Sequence, residues 1–284
     1  MTPADESPTV DDSEDDLDAL ADELEDAAGG DEEGDGDEDG GDGKTAAERK
    51  AEEDEKPDPA LAAIPLPSLD ELTEAMEWAF SNEEVLPGVL ERYAEHALCV
   101  LEGNRELNLT AIVDPKEVAV KHYLDSWRAT RLLPLMGRSV LDLGCGAGFP
   151  GMPTALCEDM TKVTLLDARR KKADFVAKTI ERMGVKNAKA EWGRGEEYLV
   201  KARHDVVFMR ALSSVRENVR LLRKVRHSIH DVVMFKGPSW SREVRAAERE
   251  AERLGFQLDT VWEHELPGEM GGRAILIYRA PGAR

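Results

Sequence analysis

The feature that most constrains this chain is a buried-strand pattern that breaks abruptly into glycines. Val140 and Leu141 are typical of a buried parallel strand, and glycines then occupy positions 144, 146 and 148. Glycine adopts backbone conformations that a Cβ forbids, so a ligand can closely approach the main-chain N–H groups of such a turn. A plain connection from strand to helix would not need three glycines at alternate positions. The pattern therefore predicts a ligand site at the end of a strand.

The spacing of these glycines distinguishes between nucleotide ligands. A dinucleotide fingerprint needs its third glycine three positions after the second, and Phe149 stands there in this chain. The motif Asp142-x-Gly144-x-Gly146-x-Gly148 instead indicates S-adenosylmethionine, which has no pyrophosphate and needs no long anion-binding turn. Asp142 is a suitable neighbour for the α-amino group and sulfonium of that cofactor. We therefore assign the aspartate and the three glycines to cofactor binding.

The negative charge of the chain is concentrated at its N-terminus. Residues 1–60 contain 26 acidic and 4 basic residues, which accounts for the whole formal net charge of −22. This arm has almost no aromatic or β-branched residues and cannot bury enough surface to offset ordering, so we predict disorder. Its Asp/Gly spacing resembles a calcium loop, but no hydrophobic helices flank it, which favours a solvated acidic arm. The leucines at 17, 20 and 24 could form a short helix on a partner.

The sequence gives no sign of a membrane or metal protein. No apolar run is as long as the roughly 18–20 residues of a membrane span, and the N-terminus lacks the features of a secretory signal. We therefore expect a cytoplasmic protein without membrane contacts. Cys99, Cys145 and Cys157 are too few and too scattered for a zinc site or a disulfide framework, so we expect reduced thiols and no metal. Nothing in the sequence suggests a large exposed surface for subunit contact, and we expect a monomer.

The chain beyond residue 134 alternates between strand and helix patterns. That alternation predicts a Rossmann-like α/β fold with a doubly wound, mostly parallel sheet, whose ligand binds at the carboxyl ends of the strands. Two final strand patterns are joined without a helix and predict a C-terminal antiparallel hairpin. The predicted parallel strands lie near 138–143, 162–167, 188–192, 205–209 and 231–236, the helices include 169–183 and 214–226, and the hairpin strands are 257–263 and 274–278.

Helical patterns precede the sheet and predict an N-terminal helical cap. Ser68 and Glu71 have the spacing of a capping box for a helix through Trp78 and Phe80. A second helix is predicted from Glu83 to Glu102, and a third from Pro115 to Leu133. The predicted organisation is an acidic arm and Pro-rich linker at 1–67, the helical cap at 68–134 and the cofactor-binding domain at 135–284.

Polar residues follow the strands at the edge where the ligand should bind. Asp167 closes the second strand, about 20 residues beyond the glycine turn, where a carboxylate can accept hydrogen bonds from ribose hydroxyls. An alternative is that Asp167 caps the following helix, and the two roles are compatible. Gly195 and Glu196 would lie beside the adenine. Three cations, Arg210, Lys236 and Arg273, form a basic cluster that could hold an RNA loop or the O6 atom of its guanine.

The glycine turn and its continuation Phe149-Pro150-Gly151-Met152-Pro153 resemble the RsmG (GidB) family of bacterial methyltransferases. Further motifs appear in the same order at similar intervals, and the resemblance covers roughly residues 83–278. These motifs are Asn108-Leu109-Thr110, His122-Tyr123-Leu124-Asp125-Ser126, Leu165-Leu166-Asp167, Arg210-Ala211 and Lys236-Gly237.

The resemblance implies methyl transfer from S-adenosylmethionine to N7 of one guanine in 16S ribosomal RNA, as free RNA or in the small ribosomal subunit. It implies that Asn108, His122 and Asp125 shape the cap over the methyl donor and form part of the substrate site. Family members usually have a side chain where Gly195 stands, so only a main-chain contact is implied there. The residues that the resemblance assigns to the cofactor are Gly144, Phe149, Gly195, Glu196 and Arg210.

Guanine N7 carries an in-plane lone pair and no proton, so its methylation needs no general base. We therefore predict a site without a catalytic acid or base. Fold and cofactor do not name a substrate, and two alternatives stay open. One is a methyltransferase that acts on a small molecule or a protein. The other is a ribosome-associated binding module without turnover, against which the intact glycine motif and Asp167 argue.

Overall fold

A computed structural model of the chain describes Lys56 and residues 58–281. The predictions for the acidic arm, including its disorder and the short leucine-bearing helix, concern residues outside this description. The chain divides into residues 1–46 and 47–284, and everything described below belongs to the second unit. None of the helices within the described residues is both long enough and apolar enough to cross a bilayer.

The described residues form a seven-stranded sheet with the order β3-β2-β1-β4-β5-β7-β6. Strands β1 to β5 are parallel, and β7 pairs antiparallel with both β5 and β6. The order reverses between β1 and β4, which is where doubly wound sheets bind their ligands. The predicted fold class and hairpin are therefore confirmed. The strands are β1 Ser139–Leu143, β2 Lys162–Asp167, β3 Ala188–Trp192, β4 His204–Arg210, β5 Ile229–Lys236, β6 Gln257–Glu265 and β7 Gly272–Arg279.

Helices precede the sheet as predicted, but two of them differ in their limits. The capping box of Ser68 and Glu71 is present at the start of α2. Helix α3 begins at Val89 and not at Glu83, because Gly88 has a φ of 81° that a continuous helix cannot contain. The predicted third helix is interrupted by a π-helical segment. The elements are α1 Pro59–Ala62, α2 Leu69–Ala79, α3 Val89–Gly103, α4 Pro115–Val118, the π segment Ala119–Leu124 and α5 Asp125–Thr130.

The remaining helices connect the strands and cover both faces of the sheet. One hydrophobic cluster joins the N-terminal helices to one face, and a second lies under α9 and α10 on the other. The predicted helix 214–226 ends early, at Leu222, and a short 3₁₀ turn at Arg226–Ser228 follows. These helices are α6 Gly151–Cys157, α7 Arg170–Arg182, α8 Gly195–Lys201, α9 Val215–Leu222 and α10 Trp240–Leu254.

The close approach of α6 to the sheet generates a stability prediction. A Cβ on Gly151 would lie 2.8 Å from Asp142 Oδ2 and 2.9 Å from Leu165 Cδ2. We expect Gly151→Ala to lower the free energy of unfolding by about 1–3 kcal/mol, as overpacking of a close-packed interior does. Urea denaturation measures this change. The control is Gly237→Ala, whose added Cβ would meet nothing within 4 Å, and an equal loss in both variants would contradict the packing argument.

Candidate active site

The loop between β1 and α6 has the positive-φ backbone that its glycines predicted. Gly144, Gly146 and Gly148 have φ values of 74°, 57° and 103°. The N–H groups of Gly144 and Cys145 both donate to the carbonyl of Leu166, at 2.8 and 3.1 Å, so β2 holds the start of the loop. A Cβ on Gly146 would meet nothing within 4 Å. The middle of the loop therefore presents its backbone to open space.

Asp167 joins three parts of the site. Its Oδ2 accepts a hydrogen bond from the Gly146 N–H at 2.8 Å, and its Oδ1 accepts one from the Arg169 N–H at 2.8 Å. The first bond fixes the glycine loop, and the second fixes the turn before α7. Each carboxylate oxygen has a further lone pair for a ligand hydroxyl. The sugar-binding and helix-supporting roles considered for this residue are thus geometrically compatible.

A cleft of about 470 Å³ opens over the glycine loop at the β1/β4 switch point. Its walls come from the loop, the end of β2, the first turn of α7, the end of β4 and the segment before α4. Among the predicted cofactor residues, Gly144, Gly146, Phe149, Asp167 and Arg210 line it. The remaining lining residues are Leu109, Thr110, His122, Cys145, Ala147, Ala168, Arg169, Lys172, Ala211 and Leu212.

Asp142 is fully buried and is not among the residues that line this cleft. Its Oδ2 accepts from the Gly151 N–H at 2.7 Å, whereas Oδ1 has no hydrogen-bond partner among the described residues. Burial raises the pKa of Asp142 to about 7, although the Gly151 bond and Arg210 act in the opposite direction. The observed role of this carboxylate is to fix α6 under the loop. Its contact with the cofactor stays a prediction.

His122, Phe149 and Arg210 form a layered wall of the cleft. The rings of His122 and Phe149 stack with centroids 4.5 Å apart, and the Arg210 guanidinium lies 5.7 Å from the Phe149 centroid. Arg210 Nη2 lies 2.6 Å from His122 Nδ1, and Thr110 Oγ1 lies 3.0 Å from His122 Nε2. Burial, followed by Arg210, holds the pKa of His122 well below its usual value. The neutral ring accepts from Arg210 at Nδ1 and donates to Thr110 at Nε2.

The π segment places His122 and Asp125 toward different clefts. Such segments often occur at functional sites, where they change the direction of the following side chains. His122 lines the first cleft, and Asp125 lines a second cleft of about 420 Å³. The two clefts share Arg210 and Ala211, and Ala211 has the unusual φ of 51°. The second cleft is lined by Ile112, Lys121, Asp125, Arg210, Ala211, Phe235, Lys236, Gly237 and Arg273.

Lys236 and Arg273 both line the second cleft, but their cationic groups are engaged differently. Lys236 Nζ donates to the Ser213 carbonyl at 2.6 Å and to Glu243 Oε2 at 2.7 Å. Its side chain therefore supports the segment after β4. Arg273 Nη1 donates to the carbonyl of its neighbour Gly272 at 3.0 Å. Arg273 is thus the cation of this pair that has greater capacity for a phosphate.

Besides Asp142, four further predicted site residues lie outside the walls of both clefts. Gly195 and Glu196 begin α8, and a Cβ on Gly195 would overlap the Leu143 side chain, so this glycine allows α8 to pack on β1. Gly148 packs against Met152, at 2.9 Å from the position of its missing Cβ. Asn108 lies on the segment before Thr110. The roles of these residues toward cofactor or RNA stay predictions.

Sequence reasoning missed Asn104, which shapes the first cleft from behind. Its Oδ1 accepts from the Leu109 and Thr110 N–H groups at 2.8 and 3.0 Å, and its Nδ2 donates to the Thr110 carbonyl at 2.9 Å. It thereby positions Thr110, the partner of His122. The available sequence signal was an asparagine directly after a helix-ending glycine. Leu212, which fills the space beside Gly144, gave no comparable signal.

The residues of the first cleft fit an adenosylmethionine ligand. Positive-φ glycines expose backbone, Asp167 presents a carboxylate, and the buried Asp142 has one unpartnered oxygen near the same loop. The volume is within the range of about 300–1,000 Å³ that small-molecule sites occupy. The fold and the site together define a class I S-adenosylmethionine-dependent methyltransferase.

Comparisons with known proteins identify the family. A family model described as rRNA small subunit methyltransferase G (GidB) matches residues 89–267. Ribosomal RNA small subunit methyltransferase G of Solibacter usitatus is 33% identical over 214 residues, which cover 72% of this chain and 100% of that protein. The protein of the same name from Carboxydothermus hydrogenoformans is 32% identical over 208 residues, which cover 72% and 87%. The chain belongs to the rRNA small subunit methyltransferase G family and is an S-adenosylmethionine-dependent rRNA methyltransferase.

Among solved structures, M. capricolum TrmK in complex with S-adenosyl-homocysteine has a TM-score of 0.45 and 12% sequence identity. The match covers 55% of this chain and 68% of that one.

The raised pKa of Asp142 predicts how stability depends on pH. Between pH 3.8 and about 7 the folded protein keeps a proton that the unfolded chain has lost, so rising pH lowers the free energy of unfolding. Asp142→Asn can keep the Gly151 bond but cannot titrate. We expect the stability of this variant relative to the unmodified protein to increase over that interval, by at most about 1.4 kcal/mol per pH unit. Urea denaturation at several pH values measures the difference, and a pH-independent difference would contradict the assignment.

Proposed function

We propose that this protein methylates N7 of one guanine in 16S ribosomal RNA. The observation that carries the proposal is the pair of clefts that meet at Arg210 and Ala211. The first has the glycine loop and the carboxylate suited to the cofactor, which supplies an electrophilic methyl group when it is bound. The second is lined by four cations, as a polyanionic substrate requires. Methyl donor and acceptor can thus approach each other at one shared wall.

The chemistry of the site supports a methyl acceptor that is a ring nitrogen without a proton, because such an acceptor needs no general base. His122 is neutral, and both of its nitrogens already face protein partners. It is therefore poorly placed to act as a general base. Guanine N7 needs no base, and orientation of the reacting groups can supply roughly 7–11 kcal/mol of the barrier. We infer that Arg210, Phe149 and His122 serve to orient cofactor and base.

The accessibility of N7 restricts the RNA. In an A-form duplex this atom lies in a deep, narrow groove, whereas a loop base can be extruded into a cleft. We infer that the target guanine lies in an open loop of the small subunit RNA, and that the reaction takes place in the cytoplasm, where ribosomes are assembled. We retain the expectation of a monomer. We retain the predicted division into arm, helical cap and catalytic domain.

Mapping of the transferred methyl group tests this proposal. The protein is incubated with labelled S-adenosylmethionine and free 16S RNA, 30S particles or cell-extract protein, and the labelled atom is identified. We expect label on N7 of a single guanine. Label on protein or small molecules would support the other class of methyltransferase, and cofactor binding without transfer would support a binding module. Either result would overturn the proposal.

Arg273 and Lys236 make different hydrogen bonds, so we expect their substitution to affect RNA and cofactor binding differently. Arg273→Gln should weaken RNA binding and reduce the slope of log affinity against log salt by about 0.7–1, because one phosphate contact is lost. Lys236→Ala should in addition weaken cofactor binding, because Lys236 supports the segment that contains Ala211 and Leu212 of the first cleft. Filter binding of RNA and calorimetry with S-adenosyl-homocysteine measure the two effects.

A matched control is Arg279→Gln, at the opposite end of β7, where the arginine faces Asp259 and Asp231. We expect its RNA affinity and salt slope to be unchanged. Equal salt slopes in all three variants would remove Arg273 from the proposed RNA contact.

A further inference from the structure

The second cleft contains one carboxylate among four cations. Asp125 is 4% exposed and lines the cleft together with Lys121, Arg210, Lys236 and Arg273. Of the described residues in this lining, it is the one acid. A carboxylate in the path of a polyanion repels it, and burial of a charge without hydrogen bonds is unfavourable. Donor groups on the substrate would remove both difficulties.

One ring nitrogen of His264 lies close to this carboxylate. His264 Nε2 lies 3.4 Å from Asp125 Oδ1, and neither ring nitrogen of His264 has a hydrogen-bond partner among the described residues. The imidazole is buried and stacks on Trp262, with centroids 4.2 Å apart and an interplanar angle of 23°. The ring is thus fixed from β6 and faces one side of the carboxylate. The remaining acceptor capacity of Asp125 is available to a ligand in the cleft.

The reaction creates a need for such an acceptor. Adenine also carries a ring nitrogen N7 with a lone pair, so the nucleophilic atom does not distinguish the purines. They differ at positions 6, 1 and 2, where guanine presents a carbonyl, an N–H donor and an amino donor. Adenine presents an acceptor at N1. A carboxylate accepts hydrogen bonds from both guanine donors and opposes the lone pair of adenine N1.

We propose that Asp125 selects guanine by accepting hydrogen bonds from its N1–H and 2-amino groups, and that His264 is a positioning residue that holds the carboxylate in this orientation. The nearby cations Arg210 and Arg273 can then donate to O6. This inference rests on the proposed guanine-N7 activity. It adds that Asp125 recognises the base and that recognition is at the edge of guanine that carries N1–H and the 2-amino group.

Base substitution at the target tests the inference without any protein variant. Once the labelled guanine has been mapped, 16S RNA is assembled by ligation with guanine, inosine or adenine at that position. Inosine keeps O6, N1–H and N7 but lacks the 2-amino group. The kcat/KM of the unmodified protein should fall roughly 10- to 150-fold on inosine RNA, as expected for loss of one hydrogen bond to a charged acceptor. Equal rates on guanine and inosine would overturn the inference.

A chemical double-mutant cycle then tests Asp125 itself. Asp125→Asn keeps the shape of the side chain and loses the second acceptor, so its kcat/KM on guanine RNA should be reduced by a similar factor. The loss on changing guanine to inosine should then shrink to about 3-fold or less, because the two changes remove the same interaction. Independent, multiplicative losses would overturn the inference.

Two controls separate this inference from other effects. Asp259→Asn changes an exposed acid elsewhere on the strand that carries His264, and it should keep the full inosine discrimination. S-adenosyl-homocysteine affinity should be unchanged in Asp125→Asn, since Asp125 is absent from the lining of the first cleft. A large loss of this affinity would assign Asp125 to cofactor binding and overturn the inference. Failure of the proposed function would instead appear as absence of guanine-N7 label with the unmodified protein.

The positioning role of His264 has a separate readout. His264→Phe keeps an aromatic ring against Trp262 but removes the nitrogen that faces Asp125. It should reduce discrimination against inosine more than it reduces cofactor affinity. His264→Gln retains a side-chain N–H donor and should restore part of the discrimination. Full discrimination in the phenylalanine variant would show that His264 does not position the carboxylate.

Discussion

The site depends on the contact between the Asp167 carboxylate and the Gly146 N–H. This bond ties the loop after β1 to the end of β2, and the Leu166 carbonyl reinforces it with bonds from the first two residues of the loop. The glycines of this loop have no side chains to pack, and glycine loses more conformational entropy on folding than any other residue. Fixed acceptors on the neighbouring strand therefore hold the backbone that faces the ligand. Without them the first cleft would lack its floor.

Arg210 connects the ordered glycine loop with the second cleft. It stands at the end of β4, beside the switch point, and bonds His122 on the π segment while its guanidinium lies over Phe149 of the glycine loop. Burial lowers the pKa of Arg210, whereas Asp125 and Asp142 raise it, so carboxylates on two sides stabilise its charge. One side chain thus joins the loop, the helical cap and both clefts. This shared wall explains how a single fold positions two unlike ligands.

Local sequence signals predicted the parts of the molecule that local physics determines. The glycine loop, the position of Asp167 at the end of β2, the mostly parallel sheet and the capping box of Ser68 each follow from a short motif or a simple alternation. The π segment and the contact of His264 with Asp125 depend on packing between elements distant in sequence. A single sequence contains no local motif that indicates such contacts. For the same reason the bond from the Gly151 N–H to the Asp142 carboxylate, which joins β1 to α6, was not predicted.

The charges around the two clefts suit the different ligands that we propose for them. A neutral His122 stacked on Phe149 adds no cation beside a sulfonium-bearing ligand, which an imidazolium would repel. Four cations line the second cleft, where they attract phosphates. One of them, Arg210, is shared with the first cleft, which Arg169 and Lys172 also line. Attraction to phosphate is independent of sequence, so it cannot select a base. Base selection requires a group that binds one base and repels another, and a carboxylate that accepts from guanine N1–H and opposes the lone pair of adenine N1 has that property.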